Sequence, residues 1–135
     1  MITSPVAARR AITEAAVLSA SPGRLLVMLY DRLLLDLARA EQGQQRADWE
    51  TARVNLLHAQ AIVAELQSSL DVTKWDGAKD LLAIYGYVSQ ALISANIDRD
   101  IERTRESIRL LEPLREAWTQ ALEQSVAPVA VARVG

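Results

Sequence analysis

Residues 21–31, with the sequence SPGRLLVMLYD, mark the start of a helix that is more apolar than an ordinary surface helix. Ser21 can accept hydrogen bonds from the free amides of the first turn, and Pro22 stands where its missing N–H costs nothing. Wound at about 100° per residue, the following segment has a wide apolar face on one half of the helix. Met28 and Leu35 lie on the other half, so apolar surface remains after that face is buried.

The composition predicts one domain that folds without covalent or metal cross-links. At 135 residues, the chain is long enough to bury about two-thirds of its unfolded surface. It contains no cysteine, which excludes disulfides and thiolate sites and agrees with a reducing compartment. Its net charge of −2 and its interspersed charges argue against nucleic acid as a partner, because nucleic acid favours a basic stripe.

The sequence also argues against secretion and membrane insertion. The first residues have no basic region followed by an apolar run, so we expect no secretory signal and a cytoplasmic location. Residues 81–97 carry no charge and approach the length of a membrane-spanning helix, which is about 17–25 residues. Serine, glutamine, asparagine and glycine interrupt this run, and we therefore expect no membrane insertion.

Apolar periodicity and cap residues predict an all-α fold, an antiparallel up-down four-helix bundle. The predicted helices span about 22–42, 48–70, 79–97 and 101–124. Gly43 is predicted to stop the first helix in the left-handed conformation, and Asp48 to cap the second. Asp98 or Asp100 is predicted to cap the fourth helix, and Pro113 to kink it.

The predicted bundle occupies residues 21–124 and is flanked by two further segments. Residues 1–20 are rich in alanine and are predicted to form an N-terminal arm or a short extra helix. Residues 125–135 contain Pro128 and small residues without a helical period, so we predict a mobile C-terminal tail.

The third predicted helix has more apolar surface than one bundle can cover. Its core stripe runs from Leu81 to Ala95. A second stripe on the far side consists of Leu82, Gly86, Ile93 and Ile97. A bundle helix normally exposes its outer face to water, so a second stripe implies another apolar neighbour. An interior glycine costs about 1 kcal/mol relative to alanine, and a segment approaching Gly86 closely would compensate for this cost.

Three occupants of the second stripe are compatible with the sequence. The N-terminal arm and the end of the fourth helix could fill it permanently, a second copy could pack on it as a homodimer, or a foreign amphipathic helix could bind it. We favour the foreign helix, because apolar anchors at helical spacing are a recognised mode of recognition. The predicted partner-binding residues are Leu82, Gly86, Ile93, Ile97, Met28, Leu35, Tyr87 and Asn96.

Several fragments of the chain resemble, in order and spacing, one protein family. They are SPxxLxxMLYD from Ser21, Leu66 to Asp71, Asp76-Gly77, Leu81 to Tyr87, Leu92 to Asn96 and Leu114 to Trp118. Together they are similar to the FliS-type flagellar export chaperones, which are cytoplasmic helical proteins that hold flagellin before secretion. The resemblance covers roughly residues 12–120.

The resemblance implies a function and a set of partners. The expected client is the C-terminal region of flagellin, which is disordered as a monomer and coils around the bundle, so that premature polymerisation is prevented. The expected second partner is the flagellar type III export gate. Two positions depart from the family: Ile12 replaces a tyrosine of the N-terminal arm, and Arg32 replaces a small residue. The alternative is a helical adaptor that is not a chaperone, or a self-associating bundle.

The reactive residues of the sequence predict neither an enzyme nor a cofactor site. His58 is the only histidine, and it lacks the Glu-x-x-His pattern of carboxylate-bridged metal bundles. Without cysteine or carboxylates repeated on facing helices, a transition-metal site lacks ligands. We therefore expect His58 to be a half-exposed surface residue.

Overall fold

A computed structural model describes residues 22–74 and 76–134, with side chains described for residues 23–74 and 76–124. It contains four helices: α1 (Pro22–Gln45), α2 (Trp49–Ser69), α3 (Ala78–Ile97) and α4 (Ile101–Val134). The described residues contain no strand, so the predicted all-α fold is confirmed. The predicted N-terminal arm and the cap at Ser21 lie outside the described residues.

The four helices pack in a closed circuit. Each helix packs against its neighbours in the chain, and α4 packs back against α1. Because the connections are short, successive helices are antiparallel, and α1 and α3 occupy diagonal positions. The core between them contains Tyr30, Leu33, Leu37, Leu56, Val63, Leu66, Leu81, Tyr85, Val88, Leu92 and Leu111. Within the described ranges, no helix is both long and apolar enough to cross a bilayer.

Two aspartates cap helix starts, as the sequence predicts. The Asp48 carboxylate accepts hydrogen bonds from the Thr51 backbone N–H at 3.2 Å and from the Thr51 hydroxyl at 2.7 Å. These two bonds lower the pKa of Asp48, because they favour its charged form. At the start of α4, the Asp100 carboxylate accepts from the Glu102 backbone N–H at 3.0 Å, which identifies Asp100 rather than Asp98 as the cap.

The predicted left-handed stop at Gly43 is wrong. Gly43 lies inside α1, and the left-handed residue is Ala47, with φ of 56°. A Cβ atom at Gly43 would lie 2.9 Å from the Ala52 backbone nitrogen and 3.0 Å from the Asp48 carbonyl oxygen. The glycine is therefore required by the close approach of the first turn of α2, and not by its own backbone conformation.

The last helix extends further than predicted. α4 runs to Val134, whereas the sequence predicts an end near residue 124. Alanine has the highest helix propensity and recurs through this segment, so the helix continues past Pro128. The mobility of residues 125–135 and the kink at Pro113 stay predictions.

A buried acidic side chain joins α1 to α2. Winding the sequence places Asp36 on the solvent half of its helix, but its side chain is only 1% exposed. Its carboxylate accepts hydrogen bonds from His58 Nδ1 and, at 3.2 Å, from Arg32 Nε. α2 packs over this flank of α1, and the two cationic or hydrogen-bonding partners compensate for burial of the carboxylate. His58 itself is half-exposed, as predicted.

Candidate partner-binding surfaces

The second stripe of α3 remains outside the core. Leu82, Gly86 and Ile93 are half-buried, and Ile97 is 74% exposed. A Cβ atom built on Gly86 would meet no atom within 4 Å, so the space over this glycine is open. We call these four residues the α3 stripe, and an apolar segment can approach it without displacing any part of the bundle.

An exposed leucine on α2 extends the apolar surface beside the α3 stripe. Leu57 is 44% exposed. Its chain neighbour Leu56 lines the same pocket as Ala95, which places Leu57 near the height of Ile93 on the adjacent helix. The sequence analysis missed Leu57, because the regular seam of α2 accounts for the other apolar positions and leaves Leu57 as a single exposed leucine.

Met28 and Leu35 form a separate surface, which we call the α1 patch. Their side chains are 50% and 42% exposed. They lie seven residues apart, and therefore on one face of α1, turned away from the buried residues Leu33 and Leu37. Because α1 and α3 are diagonal in the bundle, the α1 patch and the α3 stripe do not form one continuous surface.

The other two predicted binding residues lie in different surroundings. Tyr87 is 46% exposed, but its hydroxyl accepts a hydrogen bond from Arg103 Nη1 of α4 at 3.1 Å. A hydrogen bond from Tyr87 also lowers the pKa of Glu106, so the phenol is already engaged with α4. Asn96 is half-buried at the opposite flank of α3, where it lines a small pocket with Gln44 and Trp49.

The structure also contains an apolar groove between α3 and α4 that the sequence analysis missed. It has a volume of about 420 Å³. The apolar residues that line it are Leu81, Ile84, Leu114, Ala117, Trp118 and Ala121. The sequence analysis assigned Trp118 and Leu81 wholly to the core. The missed signal is a row on α4, Leu110, Leu114, Ala117 and Ala121, at spacings of four, three and four.

A second apolar cleft, of about 560 Å³, lies where α1 begins and α2 ends. Its walls include Leu25, Leu29 and Leu70, with Glu65 and Lys74 among the polar lining residues. Leu81 and Trp118 line both this cleft and the α3–α4 groove, so the two depressions lie side by side. Apolar surface is therefore distributed over several shallow sites rather than one deep pocket.

A pair of buried tyrosines forms the floor beneath these depressions. The hydroxyl groups of Tyr30 in α1 and Tyr85 in α3 are 2.7 Å apart and hydrogen-bonded. Burial raises the pKa of both phenols, and for Tyr30 the hydrogen bonds of Tyr85 and Trp118 oppose this effect. Both phenols are consequently neutral at pH 7, and they connect the diagonal helices across the core.

Replacing Tyr30 with phenylalanine is expected to reduce the free energy of unfolding by about 1 kcal/mol, because the buried Tyr85 hydroxyl loses its partner. Tyr87→Phe is the matched control, since its hydroxyl is at the surface, and it is expected to change stability little. Urea unfolding followed by circular dichroism measures both variants. Equal stability of Tyr30→Phe and the wild type would contradict a stabilising role for the hydroxyl pair.

Ion pairs join α1 to α4 on the outside of the bundle. The Asp31 carboxylate accepts a hydrogen bond from Arg115 Nε, and the Glu41 carboxylate accepts one from Arg105 Nε at 2.7 Å. Tyr30, Asp31 and Arg115 all belong to the fragments that carry the family resemblance. Those fragments are therefore, in good part, contacts that hold the helices together. Among the described side chains, no group of three His, Cys, Asp or Glu residues is placed to hold a metal ion.

Comparison with known proteins identifies the family. A family model described as "Flagellar protein FliS" matches residues 5–125. The chain belongs to the FliS family. The flagellar secretion chaperone FliS of Bacillus subtilis (strain 168) is 32% identical over 113 residues, covering 84% of each chain. The FliS of Escherichia coli (strain K12) is 33% identical over 111 residues, covering 81% of this chain and 82% of its own. The resemblance found in the sequence is thus confirmed.

A solved structure supports the fold independently of sequence. The crystal structure of a bacterial flagellar chaperone aligns with a TM-score of 0.71 at 19% identity, covering 90% of this chain and 99% of its own. At this low identity, the match bears on the fold alone. The four-helix arrangement of this FliS-family chain is therefore shared with a protein of quite different sequence.

Proposed function

We propose that this FliS-family protein is a cytoplasmic chaperone that binds the C-terminal region of flagellin. By covering that region it prevents premature polymerisation, and it delivers flagellin to the type III export apparatus. The observation that carries the proposal is the α3 stripe: its side chains are only half-covered by the bundle, and the space over Gly86 is open. The curated relatives, which are named flagellar secretion chaperones, supply the identity of the client.

The distribution of apolar surface suits a client that is disordered before binding. Each residue that becomes ordered costs about 1–2 kcal/mol of backbone entropy, so contacts must be gained over a large area. Burying one exposed Leu, Ile or Met side chain contributes about 1.5–3 kcal/mol. Several shallow sites on different helices, including the α3 stripe, the α1 patch and the α3–α4 groove, can together offset that cost.

The proposed activity is binding rather than catalysis. The most strongly perturbed tyrosines, Tyr30 and Tyr85, are buried and hydrogen-bonded to each other, which is a structural use of the phenols. The histidine that the sequence offers, His58, is engaged with the Asp36 carboxylate. These groups stabilise the bundle that displays the binding surface.

Isothermal titration calorimetry of the purified protein with a flagellin C-terminal segment tests the proposal. We expect a complex of one chaperone to one segment, and a gain of helical circular dichroism as the client orders. The flagellin N-terminal segment is the matched control and is expected not to bind. Absence of binding by the C-terminal segment, combined with a dimer in light scattering, would favour the self-associating bundle instead.

A further inference from the structure

A small polar pocket lies at the end of the bundle, where α1 and α3 end and α2 begins. Its volume is about 200 Å³. Its polar and aromatic lining comes from Gln44, Trp49, Glu50, Arg53, Asn96 and Arg99. We call it the terminal pocket. It differs from the apolar depressions described above, because hydrogen-bonding groups converge on it from three helices and a turn.

Gln44 supplies a buried acceptor that lacks a partner in the described part of the chain. The residue is 6% exposed, and its Nε2 donates to the Ala95 carbonyl oxygen at 3.4 Å. Its Oε1 is buried without a hydrogen bond. Reversing the amide would place Oε1 against the Ala95 carbonyl oxygen, so the acceptor stays on the other side. A buried acceptor without a partner costs about 1–3 kcal/mol, and an N–H group from a ligand would remove that cost.

Arg99 supplies a fixed cation beside this acceptor. Its guanidinium carbon lies 4.7 Å from the centroid of the Trp49 ring, a cation–π contact that restricts the side chain. Its backbone is left-handed, with φ of 52°, a strained conformation for a residue other than glycine. No ion pair or hydrogen bond of this guanidinium is recorded among residues 22–74 and 76–134, so its donors are available to a ligand.

The remaining charges of the pocket compensate each other. Arg53 Nη2 lies 2.6 Å from the Glu50 carboxylate, and this pair contributes no net charge. The Asn96 side chain makes no hydrogen bond within the described ranges and is half-buried. The terminal pocket therefore offers one uncompensated cation, one acceptor for an N–H group and one side-chain amide.

We infer that the terminal pocket binds the C-terminal carboxylate of the client polypeptide, an inference that rests on the proposed function. The last residue of a polypeptide combines an N–H donor and a carboxylate within one residue, which matches Gln44 Oε1 and the Arg99 guanidinium. An internal stretch of backbone offers the N–H group but no charge for Arg99. Side-chain N–H groups of Asn96 can donate to the same carboxylate or to the preceding carbonyl.

The position of the pocket agrees with the path of the client. Asn96 adjoins Ile97, the exposed end of the α3 stripe, and Ile93 lies one turn earlier. A segment that follows the α3 stripe in the direction of Ile97 thus reaches the terminal pocket without crossing another helix. The pocket would fix the register of a client whose other contacts are apolar and weakly directional.

Two synthetic peptides of one flagellin C-terminal sequence test the inference, one with a free carboxylate and one with a C-terminal amide. Calorimetry with the wild-type protein is expected to give about tenfold tighter binding of the free acid, since a charge-assisted hydrogen bond is lost in the amide. Arg99→Gln is expected to weaken binding of the free acid about tenfold and to leave the amide unchanged. Arg46→Gln, an exposed arginine of the neighbouring turn, is the matched control and is expected to change neither.

Each other outcome has a definite meaning. Equal affinity of the two peptides for the wild type overturns the inference, as does an advantage of the free acid that survives Arg99→Gln. If neither peptide binds, the proposed function itself fails. If Arg99→Gln does not fold, the wild type is titrated from about 0.05 M to about 0.5 M salt, where the advantage of the free acid should shrink. An advantage independent of salt also overturns the inference.

Discussion

Replacing Ile93 with aspartate is expected to weaken binding of the flagellin C-terminal segment by about 30-fold or more, with helix content unchanged. Ile93 lies at the centre of the α3 stripe and is half-buried, so a carboxylate there can reach water in the free protein. In the complex, the same carboxylate would be covered by apolar client residues. Loss of a central apolar anchor costs about 2 kcal/mol or more in interfaces, and each 1.4 kcal/mol is about tenfold in affinity.

Val54→Asp is the matched control for this experiment. Val54 is 50% exposed on α2 and lies outside the α3 stripe, so the same change of charge and size should leave flagellin binding near its wild-type value. Calorimetry gives the affinities, and circular dichroism gives the helix content. Unfolding of Ile93→Asp would place the stripe in the core. Conversion of a dimer to a monomer, in a protein that never binds flagellin, would establish self-association.

Replacing Gly43 with alanine is expected to reduce the free energy of unfolding by about 1–3 kcal/mol, which is the usual cost of overpacking. The added methyl group would meet two backbone atoms, the Ala52 nitrogen at 2.9 Å and the Asp48 oxygen at 3.0 Å. These two atoms form the first hydrogen bond of α2, at 3.1 Å, and neither belongs to a flexible side chain. Relief therefore requires α1 and α2 to separate at this end.

Gly86→Ala is the control with the opposite expected sign. Its methyl group would meet no atom within 4 Å, so the higher helix propensity of alanine should raise the free energy of unfolding by about 0.5–1 kcal/mol. Urea unfolding measures both variants. If Gly43→Ala were as stable as Gly86→Ala, the close approach of the two helices at Gly43 would be refuted.

Local signals in the sequence account for most of the fold. Asp48 and Asp100 cap the helices they precede, because a side-chain oxygen beside free amides acts within one turn and needs no tertiary context. The core rows of α2 and α3 follow from periodicity for the same reason. The family resemblance and the helix rows together predict the bundle that the comparisons support.

Features that depend on neighbouring helices could not be read from the same patterns. Asp36 has the position of a surface residue on its own helix, and only the arrival of His58 from α2 explains its burial. Gly43 has the signature of a helix stop, yet its cause is an atom of another helix. Periodicity describes one helix at a time, so contacts between helices are outside its reach.

The candidate binding surfaces show the same division. Winding α3 correctly separates the α3 stripe from the core, but it does not tell which neighbour flanks each side. The groove beside Ile84 and Leu114 was missed because each residue alone fits a core position, and only the fit of α3 against α4 leaves space between them. The terminal pocket depends on residues from three helices, and Asn96 alone gave a hint of it in the sequence.

The diagonal placement of α1 and α3 sets a minimum span for any single polypeptide that contacts both Met28 and Ile93. A helix with its side chains is about 10–12 Å across, so the path around half of the four-helix circumference is about 40 Å. An extended strand rises about 3.3 Å per residue and a helix about 1.5 Å, which correspond to about 12 and about 27 residues. A fragment shorter than the first of these lengths can reach only one side of the molecule.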